Sequence, residues 1–201
     1  MKMTSIDRIL LLLTALLAGY QVAVGIDGLG AIPIIIYTIG FGVLLVAALL
    51  MIILGIEVLD SPIVVIVATI IPLSLALGLF WEHAALYRIP YLLFALAGFL
   101  AVSVTRSILL RSKLPTILLA VVHGIAGLTI FLLPSILAAN GTMSPSFALV
   151  GLGGALMGLG GLLLSFLKAG RPVLSKETIL RVLPALLLLM TVCFVAGFRY
   201  G

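Results

Sequence analysis

His123 is the one ionisable side chain set deep inside an apolar run of this 201-residue chain, in PTILLAVVHGIAGLTIFLLP (115–134). At about 1.5 Å of helix rise per residue, that run matches the roughly 30 Å hydrocarbon core of a bilayer, and it places His123 about 12 Å beyond Pro115, near the midplane. A neutral imidazole donates one hydrogen bond and accepts one, and it can also bind a metal or haem or relay a proton. Leaving an ionisable group unpaired in lipid is expensive. His123 is therefore the first candidate for ligand binding. Tyr20 and Gln21 in the first apolar run and Thr191 in the last fall at compatible depths. They would act with His123 around a ligand, or hold it in a purely structural contact across helices worth roughly 1 kcal/mol.

A second polar group is Trp81-Glu82-His83 with Arg88, at the end of another apolar run. A carboxylate beside an imidazole at a membrane surface can bind a cation or act as an acid/base pair. The structural alternative is an outer-surface anchor, with Trp81 and Tyr87 at headgroup level and Glu82 paired to Arg88 in solvent. Glu57 and Asp60 stand three apart, with no third acidic ligand nearby in sequence, and read as counter-charges to the basic loops. Asp27, in IDGLG, reads as turn chemistry.

No motif indicates a cofactor or a metal. Cys193 is the single cysteine, and no CxxC or clustered Cys/His spacing occurs. A haem shared by the two histidines is excluded by depth: His83 falls at the edge of its run, something like 15–20 Å from the level of His123. No lysine lies inside an apolar run, which removes a retinal-type Schiff base. With one deeply placed ionisable residue, the chain lacks the convergent groups that catalysis needs, and the reading leans away from an enzyme.

The elements that position these residues are legible from hydropathy. The chain is 64% hydrophobic and 8% charged, where a soluble domain carries roughly 25% charged residues. The expected fold is an all-α integral membrane protein, one polytopic domain over 1–201. Its seven transmembrane helices fall at about 8–25, 34–55, 62–81, 89–105, 115–134, 147–167 and 179–198. The first run has a charged head like a signal peptide but a poor cleavage pattern, and it is read as an uncleaved helix. Ser61-Pro62 looks like an N-cap and first helical residue, and Pro72 should kink the third helix, with neighbouring helices or Ser74 re-satisfying the freed carbonyl. ALLAG (15–19) resembles GIAGL (124–128), and LGIEVLDS (54–61) resembles AGRPVLSK (169–176), so a 3+1+3 parallel repeat enters as an expectation.

Gly151, Gly154, Gly158 and Gly161 repeat at spacings of three, four and three, a smooth helix face that Gly153 and Gly160 widen. Such a face packs against a neighbouring helix, with Gly124 and Gly127 beside His123 as the opposing surface. It could instead serve a homo-oligomer, a partner membrane subunit or a small flat molecule. The net charge of +5 would suggest nucleic acid in a soluble protein, but the basic residues flank apolar runs and set orientation instead. The partner expected is the bilayer of a cell (inner) membrane. Three functions follow: binding or transport of a small, largely apolar or weakly charged molecule; a non-catalytic assembly subunit; and an intramembrane redox or hydrolytic protein using His123.

With the N-terminus cytoplasmic and the C-terminus outside, nine basic residues (Lys2, Arg8, Arg106, Arg111, Lys113, Lys168, Arg171, Lys176 and Arg181) fall inside, against Arg88 and Arg199 outside. Single cysteines introduced at Ser112 and at Asn140 check this topology. An impermeant thiol reagent added to intact cells should label Asn140→Cys and spare Ser112→Cys; the reverse pattern inverts the protein.

Overall fold

The computed structural model describes residues 3–108, 112–168, 170 and 172–201, leaving aside the side chain of Lys168. The described residues contain no strand. They form eight α-helices: α1 (Ser5–Val24), α2 (Ala31–Leu54), α3 (Pro62–Ala68), α4 (Ile70–His83), α5 (Arg88–Ser107), α6 (Leu114–Ala139), α7 (Ala148–Lys168) and α8 (Lys176–Tyr200). Counting α3 and α4 as one broken segment, seven helices are long and apolar enough to cross a membrane.

Local chemistry explains where the boundaries depart from the sequence reading. The first helix begins at Ser5 because Thr4 and Asp7 form a capping box: the Asp7 N–H donates to Thr4 Oγ1 at 3.2 Å, and the Thr4 N–H donates to Asp7 Oδ2 at 2.8 Å. The sixth helix runs through Pro134 to Ala139 instead of ending at the proline. Pro134 removes one donor, to the Ile130 carbonyl, while Ser135 Oγ bonds the Phe131 carbonyl at 2.6 Å, and the helix carries on.

The third segment does more than kink. It breaks at Thr69, whose N–H is shared between the Val65 and Ile66 carbonyls at 3.1 and 3.2 Å, and whose hydroxyl donates to Val65 at 2.8 Å. Pro72 deprives the Ala68 carbonyl of its donor. Ser74 does not replace it, since its hydroxyl bonds the Ile70 carbonyl instead.

The break sends the two halves to different places. Every residue from Ile71 to Leu79 is buried, so α4 is enclosed on all sides, whereas α3 buries none. Helices α2, α5 and α6 pack directly on α4, and α1, α8 and α7 close the ring, each packing on its neighbours. Close approaches fix the registers. A Cβ at Gly78 would lie 2.5–2.9 Å from the Tyr37 ring, one at Gly98 3.0 Å from Val122, and one at Gly197 2.7 Å from the Val150 nitrogen.

The two ends differ in chemistry. One carries Arg8, Arg106, Lys113, Lys176 and Arg181, and there the 3₁₀ turn Ile56–Asp60 packs Ile56 against Leu180 and Leu183. The other is aromatic: Tyr37 lies 4.8 Å from Phe198, and His83 lies 5.1 Å from Phe147. Asp27 is more than a turn residue, since it accepts a 2.6 Å ion-pair hydrogen bond from Arg199 and ties the α1–α2 turn to the end of α8.

Because the Tyr37 ring occupies the place of a side chain at Gly78, Gly78→Ala should cost about 1–3 kcal/mol through overpacking. Gly42→Ala, with nothing within 4 Å, should be near neutral. Thermal unfolding in detergent, compared for the two variants, tests this, and equal midpoints would contradict the packing.

Candidate functional site

Helices α6 and α7 are antiparallel and form the closest-packed pair, but only over part of their length. A Cβ at Gly151 would meet the Phe131 carbonyl oxygen at 2.8 Å, and one at Gly154 would meet the Ile130 carbonyl carbon and the Phe131 nitrogen at 2.8 Å. Toward the basic end the glycines no longer meet the facing helix. Gly158 and Gly161 have nothing within 4 Å of an added Cβ, and neither have Gly124 and Gly127. The four-glycine face is thus divided between a seam at Gly151 and Gly154 and an open stretch at Gly158 and Gly161. Gly153 turns to α8, against Phe194 and the Met190 carbonyl. The opposing surface of the seam is Ile130–Ser135, not Gly124 and Gly127.

His123 lies beside the open stretch. Gly154 faces Ile130, so stepping seven residues along each antiparallel helix brings Gly161 level with His123. The imidazole is partly buried, and its Nδ1 lies 3.1 Å from the Leu119 carbonyl oxygen. A carbonyl only accepts, so Nδ1 carries the hydrogen, and in the neutral ring Nε2 presents a lone pair. Nε2 has no hydrogen-bond partner among the described residues. One turn from Gly161, Leu164 joins Ile56 and Leu180 in lining a crevice of about 190 Å³ at the basic end, whose lining also includes Glu57, Asp60 and Lys176.

The other residues singled out by depth are not gathered around this ring. Tyr20 is 45% exposed on α1. Gln21 is buried and donates from Nε2 to the Gly25 carbonyl at 2.6 Å, and Thr191 is buried and donates to the Leu187 carbonyl at 2.7 Å. Their helices, α1 and α8, pack on each other, whereas α6 packs on α4, α5 and α7.

At the aromatic end, Arg88 is engaged with Trp81 and not with Glu82. Its Nε donates to the Trp81 carbonyl at 2.5 Å, and its guanidinium sits 5.8 Å from the Trp81 ring centroid. This closes the last turn of α4 and stacks a cation on an aromatic face. Glu82 makes no ion pair with the described residues. No group of three or more His, Cys, Asp or Glu able to hold a metal occurs among the described residues.

No family model matches this chain, and neither a curated protein nor a solved structure matches it. Its site is therefore read from geometry alone.

The division of the glycine face has a direct test. Gly154→Ala places a methyl group against backbone and should destabilise by about 1–3 kcal/mol. Gly161→Ala enters open space and should leave the unfolding midpoint in detergent nearly unchanged. Equal losses at the two positions would show that the glycine face is closed at Gly161 as well.

Proposed function

We propose that this chain is an integral membrane protein, its seven apolar helices crossing a cell (inner) membrane with the basic end cytoplasmic, and that the open glycine stretch beside His123 binds or transports a small molecule. The ligand is largely apolar or weakly charged and carries one hydrogen-bond donor. The observation that supports this is the unpartnered Nε2 of His123, level with the open glycines of α7. The glycine walls offer a flat apolar surface, and the ring nitrogen accepts one hydrogen bond that orients the ligand.

The membrane assignment is supported by the outer surface. Ile9, Leu16, Leu93, Leu100, Leu128 and Val192 are among many large apolar side chains exposed along the helices, far more than a monomer tolerates in water. A strongly charged solute is disfavoured, because the helix interiors offer almost nothing to replace its hydration. Catalysis is disfavoured for want of a second acid or base beside His123. A 3+1+3 repeat would equate the broken third segment, enclosed at α4, with the continuous α8 of the ring.

A second reading has its own support in the same open glycines. Small residues admit another helix, and in that reading the open glycine stretch is an assembly surface for a partner subunit. Native mass spectrometry and absorption spectra of the protein in mild detergent separate the two. Wild type should carry a small molecule that is lost from His123→Ala and from Gly161→Leu, with unfolding midpoints preserved. A wild type that carries nothing, or only a partner protein, overturns the binding reading.

A further inference from the structure

Polar side chains inside these helices are satisfied locally. Thr14, Thr69, Thr105, Thr129, Ser135 and Thr191 each donate to the carbonyl four residues earlier, at 2.6–2.9 Å. Three buried polar atoms break this pattern and have no hydrogen-bond partner among the described residues: Tyr91 Oη, Ser103 Oγ and Arg106 Nε. All three belong to α5. Tyr91 stands twelve residues, about 18 Å of helix rise, from Ser103. Ser103 and Arg106 are one turn apart and share a face at the basic end.

An orphaned buried donor costs about 1–3 kcal/mol, and more when it belongs to a charged group. Ser103 has the Phe99 carbonyl within the reach that every other serine and threonine above exploits, yet it does not bond it. Arg106 makes no ion pair with the described residues. A hydroxyl and a guanidinium N–H on one face, both lacking an acceptor, suit an oxyanion from outside the chain. Phosphate suits the planar fork of arginine, which can donate to two oxygens at once.

The surroundings choose between a free ion and a lipid. On the same last turns of α5, Leu100, Val104 and Ile108 are exposed, at 60, 54 and 55%. That apolar surface suits acyl chains and does nothing for inorganic phosphate. The level also suits a headgroup, since Arg106 is the second-last residue of α5, followed in sequence by Arg111 and Lys113. We propose that Ser103 and Arg106 form a binding site for the phosphate of an anionic phospholipid in the leaflet at the basic end. The site rests on the membrane reading above but does not depend on any ligand at His123.

The test uses the full chain in mild detergent, offered phosphatidylglycerol and phosphatidylcholine in equal amounts and read by native mass spectrometry. Wild type should retain phosphatidylglycerol in preference, by about tenfold. Arg106→Gln should lose that preference, and Ser103→Ala should reduce it. Arg181→Gln, which removes an exposed basic residue at the same end, should keep it. Added phosphatidylglycerol should raise the unfolding midpoint of wild type and leave that of Arg106→Gln unmoved, while the two lipid-free midpoints agree. Equal retention by wild type and Arg106→Gln overturns the site, as does displacement of the lipid by millimolar inorganic phosphate. A chain that stays dispersed without detergent would instead remove the membrane reading itself.

Discussion

The interior of this bundle is governed by a shortage of hydrogen-bond partners. Apolar side chains line almost every helix face, so a buried hydroxyl, amide or imidazole finds its nearest acceptor in the carbonyls of its own helix. Thr191 bonds Leu187, Thr69 bonds Val65, and His123 bonds Leu119. Groups satisfied in this way cannot fasten one helix to another. Cohesion is left to van der Waals contact, which decays steeply with separation, so the structure depends on how closely backbones can approach.

Glycine sets that distance. Gly78 admits the Tyr37 ring, Gly151 and Gly154 admit the backbone of α6, and Gly153 and Gly197 bring α7 and α8 together. These contacts gather toward the aromatic end, where α4 is enclosed by its neighbours. Toward the basic end the third segment is displaced to α3, which buries nothing, and Gly158 and Gly161 of α7 meet nothing within 4 Å. The open glycines level with His123 lie on the same pair of helices as the tight seam: glycine meets backbone at Gly151 and Gly154 and meets nothing within 4 Å at Gly158 and Gly161.

The exceptions carry the chemistry. Most polar side chains inside the described helices are consumed by their own helices, so the few atoms left over are free to recognise something else. His123 Nε2 is left as an acceptor, while Ser103 Oγ and Arg106 Nε are left as buried donors. The capping box at Thr4 and Asp7 shows the opposite outcome. There both groups are spent on each other, and the result is a helix terminus, a signal the T-x-x-D spacing already contained.

The sequence alone determined the seven apolar segments, their alternation, the basic bias of one end and the depth of His123, because length, hydropathy and charge are local properties of a chain. It also flagged a kink at Pro72, where the structure has a full break at Thr69, and the glycine face of α7. Tertiary structure decided which glycines are contacts: Gly151 and Gly161 look alike by spacing, yet one meets backbone and the other meets nothing. It decided that Arg88 serves Trp81 and not Glu82, that Gln21 and Thr191 belong to helices away from α6, and that Ser103 and Arg106 are left without partners. Each of these depends on the distance between helix axes and on the rotation of each helix about its own axis. Periodicity in a single segment carries neither quantity.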